Sequence, residues 1–144
     1  MRSPYYYPVL FLFFLLVCLC FGADDLSIVG ATTDEALRLE MTKAVMCERI
    51  EEYAPVNRAV AFSVAVGRIS CFTSFDFISE EMQIEHRWFY KDNPATKKRL
   101  FLKPPRWSTY SSIQLRDADK GPWRVEIVDN RGQLLGTLRF SVTD

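Results

Sequence analysis

His86 is the only histidine in the chain, so any imidazole chemistry must be built around it. It stands in residues 82–91 (MQIEHRWFYK), where Met82, Ile84, His86, Trp88 and Tyr90 alternate with Gln83, Glu85, Arg87, Phe89 and Lys91. A face that apolar calls for a hydrogen-bonded core histidine rather than a general base. Ser108, Ser111 and Ser112 supply hydroxyls, but none stands in the Gly-x-Ser-x-Gly turn that exposes a nucleophile. One histidine, no Cys-x-x-Cys pair and no carboxylates at calcium-loop spacing make no metal-ligand set. There is no glycine-rich phosphate loop either. The expectation is therefore a non-enzymatic domain with no catalytic residue, metal or cofactor.

The aromatic residues offer a different chemistry. Trp88 and Trp123 fall at strand positions and read as core, since a buried tryptophan is a familiar part of a β-sandwich. Trp107 lies in Pro104-Pro105-Arg106-Trp107-Ser108-Thr109-Tyr110-Ser111-Ser112, read as a connection between strands. Arginine, aromatic and hydroxyl groups together suit a protein interface or a sugar-stacking site. Arg106, Trp107, Tyr110, Ser111 and Ser112 are thus the candidate binding surface. A structural corner, with Trp107 covering the open end of the core, fits the same residues equally well.

The elements that must position these groups are mostly strands. Residues 41–50 (MTKAVMCERI) and 68–77 (RISCFTSFDF) read as strands, the second alternating Ile69, Cys71, Thr73 and Phe75 against Ser70, Phe72, Ser74 and Asp76. Residues 51–57, with Pro55, read as a turn, and Asp92-Asn93-Pro94 as another. Residues 98–103 form a short strand stopped by Pro104-Pro105. Residues 122–129 and 134–142 form a hairpin about Asp129-Asn130-Arg131-Gly132, with Gly132 taking the positive φ. About seven short strands predict an all-β, immunoglobulin-like antiparallel β-sandwich over residues 40–144.

The N-terminus addresses the compartment. One arginine, the apolar run 9–21 (VLFLFFLLVCLCF), then Gly22-Ala23-Asp24-Asp25, is the layout of a secretory signal, with cleavage after Gly22. Residues 1–22 are read as the signal peptide and 23–39 as a tether. The rival reading is an uncleaved inner-membrane anchor. Export places the domain in the periplasm or outside the cell and leaves Cys47 and Cys71 as the paired cysteines. One disulfide would close a loop of about 25 residues and stabilise the fold by roughly 3 kcal/mol; two buried free thiols are the other arrangement. The 18 basic and 18 acidic residues balance, so no net field draws nucleic acid or anionic lipid. Lys97, Lys98, Arg99, Lys103 and Arg106 form one basic stretch, read as an edge strand guarded by cations.

Taken in order, Cys47-Glu48, residues 68–73 (RISCFT), 86–90 (HRWFY), 105–112 (PRWSTYSS), 121–126 (GPWRVE) and 136–142 resemble a bacterial family, domain of unknown function 2914. The resemblance spans residues 40–144. It implies a small β-rich domain, exported or attached to a membrane, with no active-site residues to carry over. The function expected is an envelope interaction module that binds a protein partner. The alternative is a carbohydrate-binding module, with Trp107 and Tyr110 stacking on cell-wall or exported polysaccharide.

Overall fold

The computed structural model describes residues 39–144. The expected signal segment, and the tether apart from Leu39, lie outside the described residues. Nine strands follow in order: β1 (Glu40–Glu51), β2 (Ala54–Arg58), β3 (Ala61–Ser63), β4 (Arg68–Asp76), β5 (Met82–Tyr90), β6 (Asn93–Leu102), β7 (Trp107–Gln114), β8 (Gly121–Asp129) and β9 (Leu134–Thr143). They form two sheets, ordered β2-β1-β4-β7 and β3-β9-β8-β5-β6. All pairings are antiparallel except the three-residue parallel contact of β3 with β9. The expected all-β sandwich is present, with nine strands in place of about seven.

Alternation makes the core. On β5 the side chains of Ile84, His86 and Trp88 are buried between the sheets, as are Trp123, Val125 and Ile127 of β8. From the other sheet Ile69, Cys71, Thr73 and Phe75 of β4 meet them. Phe140 of β9 sits at the centre of the aromatic packing, edge-on to Phe62 and Trp88 and stacked on Trp123, each at a centroid distance of 6.1 Å. Burying each such side chain contributes roughly 1.5–3 kcal/mol. Gly136 is where β9 passes under Met41, because a Cβ there would come within 2.6 Å of the Met41 methyl. The β8–β9 turn uses Gly132 at φ 82, and the Asp129 carboxylate accepts the backbone N–H groups of Arg131 and Gln133 at 2.8 Å each.

Three elements differ from the sequence reading. Residues 51–57 hold a tight turn at Glu52-Tyr53, and then β2 runs straight through Pro55. Pro55 is tolerated because β2 is an edge strand, and for the same reason Asn93-Pro94, expected in a turn, open β6 on another edge after a turn at Lys91-Asp92. The largest correction is β7, since residues 107–114 form a regular strand rather than a connection. Its Trp, Thr, Tyr and Ile are strand formers, and Thr109, Ser111 and Ile113 face the core beneath them.

The expected disulfide is also corrected. Cys47 and Cys71 are free and buried. Their strands are neighbours, but the register sets Met46 opposite Cys71 and Cys47 opposite Ser70. Opposed residues share a face, so the two thiols point to opposite faces of one sheet. Cys71 lies in the core with Met46, and Cys47 on the outer face donates to the Ser70 carbonyl at 3.6 Å. Burial pushes the thiol pKa of both cysteines up, most strongly for Cys71. We predict that alkylation in denaturant without reductant modifies both Cys47 and Cys71, while the folded domain at pH 8 leaves Cys71 unlabelled. Recovery of a linked peptide pair would contradict the register.

Candidate functional site

The polar groups that sequence reading singled out separate into two places. The first is a chain of hydrogen bonds buried between the sheets. Trp88 Nε1 donates to Ser111 Oγ at 3.1 Å, and Ser111 Oγ lies 2.8 Å from His86 Nδ1. On the other side of the ring, His86 Nε2 lies 3.2 Å from Thr73 Oγ1, and that hydroxyl donates to the Thr109 carbonyl at 3.5 Å. An indole only donates, so Ser111 accepts from Trp88 and turns its own proton to Nδ1. Thr73, having given its proton to Thr109, accepts from Nε2–H. This ordering assigns the neutral imidazole with its proton on Nε2, and every member is satisfied.

His86 is fully buried, and burial lowers its pKa from 6.5 to about 4. Protonation would also turn Nδ1 into a donor and leave the Ser111 proton without its acceptor. A histidine at hydrogen-bond distance from a serine has the spacing of a base and its nucleophile. Here, however, both sit inside the core, with Ser111 only 5% exposed and its hydroxyl held between Trp88 and His86. Among the described residues, no group of three or more His, Cys, Asp or Glu side chains stands together as a metal site.

The second place is the surface along β7, an edge strand of the four-stranded sheet. Alternation divides the expected binding residues. Thr109, Ser111 and Ile113 face inward with Trp107, and Ser108, Tyr110 and Ser112 face outward. Trp107 and Tyr110, 38% and 50% exposed, are therefore on opposite faces and do not make one stacking platform. The outer face carries two hydroxyl rungs, Ser70–Ser112 at 2.8 Å and Ser74–Ser108 at 2.7 Å, on either side of the Phe72–Tyr110 pair.

At the first end of β7 a corner forms. Arg106 donates to both carboxylate oxygens of Asp76, at 2.6 and 2.9 Å, and the pair holds the guanidinium pKa up. The Ile78 N–H donates to the Pro105 carbonyl at 3.0 Å. Between these two ties Phe77 is held at φ 56 and left 52% exposed. A bulky residue rarely takes that conformation. Lys103 lies over the Trp107 ring, 5.7 Å from its centre. Arg106 and Trp107 thus share a corner with Phe77 and Lys103, Tyr110 and Ser112 belong to the outer face, and Ser111 belongs to the core. Sequence reading missed Phe77, because no glycine, asparagine or proline marks the turn it occupies.

Fold and site define a small all-β sandwich domain whose single histidine is buried in the core and whose exposed Phe77, Trp107 and Tyr110 lie along one edge. Residues 81–142 match the family described as "Protein of unknown function (DUF2914)", so the resemblance read from sequence holds over that span. The match takes in β5 to β9, bar the last residue. No curated protein matches the chain. Among solved structures, a mutant β-glucosidase from Listeria innocua in complex with laminaribiose aligns at 8% identity and a TM-score of 0.41. That alignment covers 74% of this chain and 16% of the other.

The buried histidine predicts a pH profile. Above 6.5 both folded and unfolded states hold it neutral. Between 6.5 and about 4 the unfolded chain takes a proton that the folded chain refuses, so stability falls as pH falls. The loss is on the order of 3 kcal/mol and levels off below pH 4. Urea midpoints across this range measure it, and His86→Gln should flatten the slope. Ser111→Ala, which strands Trp88 Nε1 and His86 Nδ1, should cost roughly 1–3 kcal/mol at pH 7.

Proposed function

We propose that this domain is a non-enzymatic interaction module of the cell envelope, exported by its N-terminal segment, which binds a protein partner along the β7 side of the sandwich. The observation that carries the reading is the set of aromatic side chains left exposed there. Trp107, Tyr110 and Phe77 lie together at this edge and its corner, whereas the other exposed aromatics, Tyr53 and Phe101, lie apart on the β1–β2 turn and on β6. Exposed aromatic and arginine side chains are the groups that most often anchor a protein interface. Phe77 adds to this, because it holds a costly backbone conformation outside the tight hairpin turns that call for one at Glu52-Tyr53 and Lys91-Asp92. The two ties beside it, Arg106–Asp76 and Ile78–Pro105, hold the corner in shape before a partner arrives.

Polysaccharide is the weaker alternative. A sugar-stacking site wants flat rings turned to one side, and Trp107 and Tyr110 are turned to two.

The test is site-specific photo-crosslinking in intact envelopes, with the reactive group at position 110 and, as a control, at Tyr53. Tyr53 is 93% exposed at the tip of the β1–β2 turn, well away from β7. A defined partner should appear at 110 and not at 53, and Arg106→Ala with Trp107→Ala should reduce its yield at least about tenfold. The same adducts at both positions, or yields untouched by the double substitution, would count against the proposed surface.

A further inference from the structure

The sandwich has four edge strands, and three of them are protected against pairing. β2 has five residues and contains Pro55 and Arg58. β3 has three residues. β6 carries Pro94, Lys97, Lys98 and Arg99. Short length, proline and lysine are the usual devices that keep a sheet edge from acquiring another strand. β7 has none of them. Its eight residues, WSTYSSIQ, include no charge and no proline, and among the described residues it pairs only with β4. Over a length of about 27 Å its peptide groups face β4 and the free edge in turn, which leaves about four residues with both N–H and C=O unpaired.

The charges beside that edge are not neutral. β6 borders β7 across the open flank between the sheets. Lys97 and Arg99 point to the outer face and share Glu85 with Arg87. Lys98 sits opposite His86, on the inner face, so it projects into the flank beside β7. Among the described residues neither Lys98 nor Lys103 has a carboxylate partner. An uncharged edge bordered by two uncompensated cations fits a strand that brings carboxylates. It does not fit a second copy, because joining two β7 edges would bring two lysine-bearing β6 strands alongside each other.

We infer that the free edge of β7 receives an extended, acidic segment of a protein partner as a fifth strand of this sheet. The inference rests on the protein-binding reading above and specifies its mode. Main-chain hydrogen bonds to β7 supply the affinity, and Lys98 and Lys103 select the acidic segment. Tyr110 and the Ser108 and Ser112 hydroxyls meet its outward side chains.

The test uses the full chain and four labelled octapeptides. One is Thr-Val-Glu-Val-Glu-Val-Glu-Thr, and one replaces each Glu with Lys. The other two are the acidic peptide N-methylated at odd or at even residues, which removes one set of strand donors without touching the protein. The acidic peptide should bind and protect β7 amides from hydrogen exchange. One N-methylated form should lose binding, and the lysine peptide should not bind. Lys98→Glu with Lys103→Glu, at two exposed sites, should weaken the acidic peptide about tenfold. Failure of the acidic peptide to bind, or equal binding of both N-methylated forms, would overturn strand addition. Binding insensitive to N-methylation but lost in Trp107→Ala would leave the protein-binding corner standing without it. Amides of β7 already protected without peptide would overturn the partner assignment too. In a monomer they would indicate residues 23–38 of the same chain, and in a dimer a second copy.

Discussion

The hydrogen-bonded chain from Trp88 through Ser111 and His86 to Thr73 ties the two sheets together, and the rest of the domain is arranged around it. It joins β5 of one sheet to β4 and β7 of the other, through buried side chains. A buried polar group left without a partner costs about 1–3 kcal/mol, so a one-residue slip of any of these strands would be penalised several times over. Apolar packing alone tolerates sliding better than this. The chain thus sets register as well as contributing stability, and it keeps the imidazole neutral as a consequence.

The register has effects at the surface. Because Ser111 must face inward, Tyr110 and Ser112 must face outward, and Trp107 falls on the core side at the strand's first position. The exposed aromatic groups of β7 are therefore spread around an edge instead of lying on one plane. This geometry suits a partner that wraps the edge better than a flat sugar ring. The same logic governs the cysteines. Once Met46 is opposite Cys71, Cys47 belongs to the other face, and the two thiols are kept apart by the sheet itself.

The outer faces of the two sheets differ in kind. The five-stranded sheet carries a network of charges, in which the Glu85 pKa is held down, first by its hydrogen bond from Arg87 and further by Lys97 and Arg99. Arg124 lies over the Phe89 ring at 4.0 Å and pairs with Glu126. The four-stranded sheet instead offers hydroxyl rungs around Phe72 and Tyr110. A charged, self-compensated face repels chance association, and the uncharged free edge of β7 does not.

Much of this was legible from the residues alone. Alternation in 68–77, 82–91 and 122–129 put His86, Trp88 and Trp123 in the core and Ile69, Cys71, Thr73 and Phe75 on one face, because a period of two with one apolar face has only one stable burial. The turn at Gly132 followed from its need for positive φ. The strand β7 was not legible, because WSTYSSIQ has few apolar residues and reads as polar connection until His86 and Trp88 are placed beneath its Thr and Ser hydroxyls. Nor could sequence separate Cys47 from Cys71, place Phe77 in its strained corner, or show that β7 is a free edge. Face, partner strand and edge are properties of pairing between distant segments. Local pattern sets which way a side chain alternates; only the assembled sheets decide what it meets.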